Sequence, residues 1–130
     1  MEFKKLLEEL KKLNLPVEQY AIFGSGPMAI RSIRESSDLD IVVLDELWQK
    51  FVSKYSTKEG NESIIQVGNI EICKDILPWL DDTEEMIKRS DIIEGLPFLT
   101  LEDTINFKTK LGREKDKKDI ELIKEYLEKN

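Results

Sequence analysis

The fold of this 130-residue chain is decided by residues 20–44, which read YAIFGSGPMAIRSIRESSDLDIVVL. The apolar residues at its start predict a first strand over 18–23, and the β-branched run near its end predicts a second, well-buried strand over 39–44. Between the two strands, Ser25 and Pro27 are typical of the start of a helix. The predicted order is therefore strand, small-residue turn, short helix and strand.

Two carboxylates lie at the start of the second strand. Because strand side chains alternate, Asp38 and Asp40 are expected on one face, about 7 Å apart, while their apolar neighbours point into the core. Two carboxylates this close repel each other unless a cation lies between them. A hard divalent ion such as Mg²⁺ removes the repulsion, because it binds a few carboxylates together with phosphate oxygens. The spacing thus predicts a metal site.

A third acidic residue belongs to a predicted hairpin. Strands over 63–67 and 70–74 flank Gly68-Asn69, a pair that tolerates the positive φ angles of a tight turn. Within the second of these strands Glu71 stands between two isoleucines and faces away from them. If this strand pairs beside the one that contains the two aspartates, Glu71 supplies a third ligand. Three carboxylates can hold two Mg²⁺ ions, or Mn²⁺ in their place, about 4 Å apart for in-line phosphoryl or nucleotidyl displacement.

Gly24 and Ser25 suit the complementary task of holding phosphate. A glycine lets the backbone approach a phosphate closely, and the helix that follows directs unpaired N–H groups and its positive dipole end toward the anion. The Ser25 hydroxyl can add a donor. Anion-binding amides beside metal-binding carboxylates are what chemistry on a nucleoside triphosphate needs.

These residues resemble the motif of the nucleotidyltransferase superfamily, which includes DNA polymerase beta and the aminoglycoside nucleotidyltransferases. The motif runs apolar-Gly-Gly/Ser, a gap of about nine to thirteen residues, then Asp-apolar-Asp/Glu-apolar. Phe23-Gly24-Ser25, a gap of twelve residues and 38–41 (DLDI) match it throughout. The resemblance implies an α+β nucleotidyltransferase fold, a mixed or antiparallel sheet flanked by helices. It also implies that Asp38, Asp40 and Glu71 are catalytic metal ligands, and that a nucleoside monophosphate passes from a nucleoside triphosphate to an acceptor hydroxyl with release of pyrophosphate.

The sequence over 108–120, KTKLGREKDKKDI, resembles the end of small stand-alone members, including toxin-type and antibiotic-modifying relatives. By that resemblance Lys108 reaches the triphosphate. Arg34 is a second expected phosphate contact, with pairing to Glu35 or another nearby acid as the alternative. The acceptor stays open among a small molecule, a tRNA end and a protein side chain. A homodimer or a partner protein that completes the acceptor site is also left open.

Composition limits the other possibilities. At 130 residues the chain is expected to form one domain, with a catalytic core over about 17–80 and a helical part over about 82–130. Histidine is absent, which rules out His-based triads and His-ligated zinc. One cysteine, no apolar run that could span a bilayer and no signal-peptide pattern lead us to expect a soluble cytoplasmic protein. The net charge of −7 argues against a surface given over to nucleic acid, although the region after Lys108 is locally basic.

The remaining elements follow from periodicity and capping residues. Residues 91–98, which contain Gly95 and Pro97, predict an irregular loop, with a short strand as the alternative. We expect Trp48, Cys73 and Trp79 to serve packing rather than chemistry. Asp45 and Thr100 are expected helix caps, and the last helix is expected to bury Ile120, Ile123 and Leu127. The predicted helices cover 2–13, 25–33, 45–55, 82–90, 100–112 and 115–129.

Two other functions compete with nucleotidyl transfer. Gly24, Gly26 and Ala29 also fit the glycine fingerprint of a dinucleotide-binding fold, with Asp45 about twenty residues later. That fold needs parallel strands joined by a crossover helix, whereas nucleotidyl transfer needs the two strands antiparallel. The other competitor is a non-catalytic antitoxin or regulatory partner of the same fold that binds a nucleotide as a signal.

Overall fold

The computed structural model describes residues 2–74 and 82–130, so the prediction for Trp79 lies outside the described residues. Within them the chain is an α+β protein with one six-stranded mixed sheet flanked by helices, as the sequence predicts. The strands are β1 (Tyr20–Phe23), β2 (Leu39–Val43), β3 (Ile64–Val67), β4 (Ile70–Cys73), β5 (Asp91–Ile93) and β6 (Leu96–Phe98). The helices are α1 (Phe3–Lys12), α2 (Gly26–Ile30), α3 (Asp45–Val52), α4 (Thr83–Lys88), α5 (Leu101–Leu111) and α6 (Glu114–Lys129).

The strand order is β3-β4-β2-β1-β6-β5. Antiparallel pairing joins β1 to β2, β3 to β4 and β5 to β6, while β2 pairs with β4 and β1 with β6 in parallel. The antiparallel pairing of β1 and β2 contradicts the dinucleotide-binding alternative, because a crossover helix would join parallel strands. It also brings the end of β1 beside the start of β2, with Phe23 opposite Asp40.

Each face of the sheet packs against its own helices. One face buries Leu39, Ile41 and Val43 against α1 and α3, and this core includes Trp48, as predicted. The other face buries Val42 and Cys73 against α4 and α5. Because strand side chains alternate, the even-numbered positions of β2 and the odd-numbered positions of β4 share this second face.

Helices α5 and α6 form a hairpin that covers one end of the second face. Thr100 caps α5 by accepting a hydrogen bond from the Asp103 N–H at 3.1 Å, and the helix ends at Gly112, as predicted. Ile123 of α6 is buried together with residues of α2 and α5. The prediction for Leu127 was wrong: it is 47% exposed, because the apolar contact of α6 is confined to its middle turns.

Residues 91–98 form a hairpin of two short strands, β5 and β6, so the predicted irregular loop was wrong and the alternative of a short strand was right in kind but one strand short. Glu94 and Gly95 have φ angles of 53° and 79°, the two consecutive positive values of a type I′ turn. A glutamate rarely adopts the first of these, so the sequence gives only half of the usual signal. β6 tolerates Pro97 because the strand is only three residues long and pairs with β1 through Phe98, which lies opposite Ile22.

Two predicted helix caps differ in detail. The side chains of Ser25 and Asp45 accept no capping hydrogen bond, and the cap position of α3 is Leu44 rather than Asp45. Asp45 instead lies in the first turn of α3, where a carboxylate still interacts favourably with the helix dipole. No helix among residues 2–74 and 82–130 is long and apolar enough to cross a membrane.

Candidate functional site

The backbone of the turn after β1 lies next to Asp40, the carboxylate within β2. Gly24 has φ +73°, in the left-handed region that favours glycine. A Cβ added at Gly24 would lie 3.5 Å from Oδ2 of Asp40. The antiparallel pairing of β1 and β2 therefore places the glycine turn next to Asp40.

The next glycine serves packing. A Cβ at Gly26, the first residue of α2, would lie 2.4 Å from Cγ2 of the buried Ile22. No larger side chain fits there unless the helix moves away from β1. This close approach accounts for Gly26 without any dinucleotide, and it fixes the start of α2 against the strand that precedes it.

Ser25 is the first member of a short hydrogen-bond chain. Its hydroxyl lies 2.8 Å from the Ser36 hydroxyl, and Ser36 Oγ donates to the Asp38 carbonyl at 3.0 Å while accepting from the Asp38 N–H at 3.2 Å. When Ser36 donates to the Asp38 carbonyl, Ser25 is the donor to Ser36, because a hydroxyl has one proton. Ser25 therefore helps to hold the loop before β2.

Asp40 and Glu71 are brought together by the sheet. The parallel pairing of β2 and β4 puts their Cα atoms in register, and both side chains face the second side of the sheet. The predicted pairing of the Glu71 strand beside the aspartate strand is thus confirmed. Burial, followed by the charges of Glu71 and Asp38, raises the pKa of Asp40 to about 6, with a small opposing effect from Lys58. Asp40 is partly buried, and among the described residues it has no ion pair.

Carboxylate oxygens are suitable ligands for a hard divalent cation, but the three carboxylates are not arranged around one point. Asp38 lies just before β2 and is exposed, whereas Asp40 and Glu71 are partly buried. Across residues 2–74 and 82–130, no group of three or more acidic or cysteine side chains is arranged to hold a metal ion. Burial is the first cause of the raised pKa of Asp40, and the charges of Glu71 and Asp38 add to it, so a bound cation would favour the ionised carboxylate. The metal-ligand assignment stays a prediction.

A cavity of about 690 Å³ opens in front of the glycine turn. Its lining includes Gly24, Ser25, Asp38 and Asp40 together with residues of α5 and α6. The remaining residues of its wall include Phe23, Arg34, Phe107, Lys108, Arg113, Lys115, Asp116, Lys118, Asp119 and Leu122. The structure thus gathers the predicted phosphate contacts Arg34 and Lys108 around one cavity with the two aspartates, while Glu71 lies outside the lining.

Arg34 and Lys108 share one carboxylate in this wall. Arg34 donates two hydrogen bonds to Asp119, at 2.7 and 2.9 Å, and the ammonium of Lys108 donates to Asp119 at 3.0 Å. Lys108 is buried, with 4% of its surface exposed. Burial alone would raise the pKa of Asp119, but the hydrogen bonds from Arg34 and Lys108 lower it below its ordinary value. The alternative expectation for Arg34, pairing with a nearby acid, is confirmed with Asp119 as the acid.

A second carboxylate completes the network. Asp116 accepts hydrogen bonds from the Arg113 side chain at 2.6 and 3.2 Å and lies 3.9 Å from the Lys108 ammonium. From the sequence, this region was noted only as locally basic, and neither Asp116 nor Asp119 was singled out. Their spacing of three residues on one face of α6, opposite a lysine of the preceding helix across the Gly112 turn, was the available signal.

No protein-family model and no curated protein matches this chain. Any assignment of function therefore depends on the residues and their geometry.

Proposed function

We propose that the chain is a metal-dependent nucleotidyltransferase with the DNA polymerase beta-like fold, transferring a nucleoside monophosphate from a nucleoside triphosphate to an acceptor hydroxyl. The observation that supports this most is the position of Gly24 against Asp40, with Glu71 in register on the neighbouring strand. The glycine turn, Asp38 and Asp40 line one cavity, and Glu71 lies beside Asp40 outside its lining. Together they suit a substrate that is itself an anion with bound cations.

In the proposed reaction the acceptor oxygen forms a bond to the α-phosphorus, the bond from the α-phosphorus to the bridging oxygen breaks, and pyrophosphate leaves. Asp38 and Asp40 would hold the cations, and Glu71 would complete the set and take up the proton of the attacking hydroxyl. The backbone N–H groups after Gly24 hold the phosphates. Magnesium, when bound, supplies Lewis-acid stabilisation of the negative charge that develops on the attacking and leaving oxygens.

The acceptor and the base of the nucleotide stay unassigned within this proposal. Three acceptor classes fit it: a small molecule such as an antibiotic, a tRNA end and a protein side chain. A cytoplasmic location, and completion of the acceptor site by a homodimer or a partner protein, belong to the same proposal. Size-exclusion chromatography with light scattering tests the last point, and a fully active monomer would contradict it.

The test of the activity is pyrophosphate release. The protein is incubated with Mg²⁺ and each of the four labelled ribonucleoside triphosphates, with a panel of aminoglycosides, total tRNA or no added acceptor. We expect release by the parent and none by Asp40→Asn, which keeps the shape of the side chain but removes its charge. Glu62→Gln, an exposed loop position, is the matched control and should retain full activity.

Two outcomes would contradict the proposal. Retained release by a folded Asp40→Asn variant would mean that the carboxylate is not a catalytic ligand. Tight nucleotide binding by the parent without turnover on any acceptor would favour the non-catalytic regulatory protein instead.

A further inference from the structure

The cavity wall formed by Arg34, α5 and α6 contains five positively charged side chains, which fall into two groups. Arg34, Lys108 and Arg113 have their charges engaged by Asp116 and Asp119. Lys115 and Lys118 line the same cavity but are exposed, and neither has an ion pair with any residue in 2–74 or 82–130. The cations available for a new partner are therefore the two lysines of α6.

The helix explains why these two lysines act together. Lys115 and Lys118 are three residues apart, so they lie on one face of α6, and Leu122 continues that face along the cavity. Lys117 falls between them in sequence but points elsewhere and pairs with Glu114 at 3.4 Å. The two ammonium groups therefore line the same cavity as Asp38 and Asp40 without an ion pair to the described residues.

We propose that Lys115 and Lys118 form a second phosphate subsite, which binds the β- and γ-phosphates of the donor nucleotide. This inference rests on the proposed function. A triphosphate has about four negative charges, and the cavity has the size of a typical small-molecule site. Its α-phosphate belongs beside Asp38, Asp40 and the Gly24 turn, because the reaction occurs there. The outer phosphates then extend toward the wall with unpaired positive charge.

The buried lysine is less available for this task than the two exposed ones. Lys108 can turn to a phosphate only by leaving the Asp119 carboxylate, itself 7% exposed, with one partner fewer. Lys115 and Lys118 lose no ion pair with the described residues when they bind. In this arrangement Asp116 and Asp119 keep the inner cations in place, and the outer lysines contact the ligand.

The experiment measures binding of inorganic triphosphate to the intact protein by calorimetry, without acceptor and at fixed low salt. The double variant Lys115→Gln/Lys118→Gln is compared with Lys117→Gln/Lys124→Gln, which removes the same charge from the same helix outside the cavity lining. We expect the first variant to bind about tenfold or more weakly than the parent. The control should stay within about twofold of the parent, with a smaller salt dependence only in the cavity variant.

Equal affinity of parent and cavity variant, equal losses in both variants, or no triphosphate binding by the parent would overturn the subsite. A short single-stranded RNA, titrated in parallel, distinguishes the other source of phosphate. If the cavity variant loses RNA affinity but keeps triphosphate affinity, the lysines serve a nucleic-acid acceptor and the inference is wrong.

Failure of this inference is separable from failure of the proposed function. If the parent releases pyrophosphate but the Lys115→Gln/Lys118→Gln variant binds triphosphate as tightly as the parent, only the subsite is refuted. A parent without any transferase activity, in which triphosphate binding still depends on the two lysines, refutes the reaction and leaves a polyphosphate site.

Discussion

Asp40→Asn is expected to make the metal-free protein more stable at neutral pH. The folded protein raises the pKa of Asp40 from 3.8 to about 6, so the folded state binds the proton more tightly than the unfolded state does. The stability of the parent therefore falls as pH rises from about 4 to about 6. A shift of this size corresponds to at most about 3 kcal/mol, and less where water reaches the carboxylate. The asparagine variant has no such loss.

The assay is urea denaturation in EDTA between pH 4 and 7.5, with Glu62→Gln as the control. The difference between Asp40→Asn and the parent should be near zero at pH 4 and grow to about 2–3 kcal/mol in favour of the variant at pH 7. Excess Mg²⁺ should then stabilise the parent more than the variant, because binding to the folded state adds stability. A variant that is less stable than the parent at pH 7, or a difference independent of pH, would refute the combined effect of burial and charge repulsion that we infer for the Asp40 carboxylate.

Three further changes test other parts of the site. Asp38→Asn should raise the melting temperature in EDTA by removing charge next to Asp40, and an unchanged or lower value would contradict this. Gly24→Ala should lower the free energy of unfolding by about 1–2 kcal/mol, because φ is +73° there, and a neutral effect would show that the turn relaxes. Asp119→Ala should lower it by about 3–5 kcal/mol at pH 7, because it leaves the buried Lys108 and Arg34 with one partner fewer. Since the pKa of Asp119 is lowered, this difference should shrink as pH falls below about 4, and a constant difference across that range would count against the ion network.

The sheet and the acidic face were predictable because they depend on local patterns. Alternation in 39–44 and 70–74, together with the Gly68-Asn69 turn, specifies two strands and the side on which Asp40 and Glu71 lie. Pairing of those strands is long-range. It was suggested only by the need of the carboxylates for a common cation, and the register of Asp40 opposite Glu71 agrees with it.

The ion network was not predictable, because it joins parts of the chain that are far apart in sequence. Arg34 and Asp119 are 85 residues apart, and nothing in either local pattern selects the other as a partner. Ser25 does stand at the N-terminal end of α2, but its hydroxyl bonds to Ser36, since its φ of −88° and ψ of −13° are helical rather than the extended values typical of a capping serine. The tight turn at Glu94 was missed because its first residue is unusual at positive φ.

A crystal structure of the protein with Mg²⁺ and a non-hydrolysable nucleoside triphosphate tests most directly whether the two aspartates bind cations beside the phosphates. We predict cation density bound by carboxylate oxygens of Asp38 and Asp40 and by phosphate oxygens, with the phosphates against the backbone after Gly24. A nucleotide bound elsewhere, or a triphosphate in this cavity whose cation contacts neither aspartate, would contradict it.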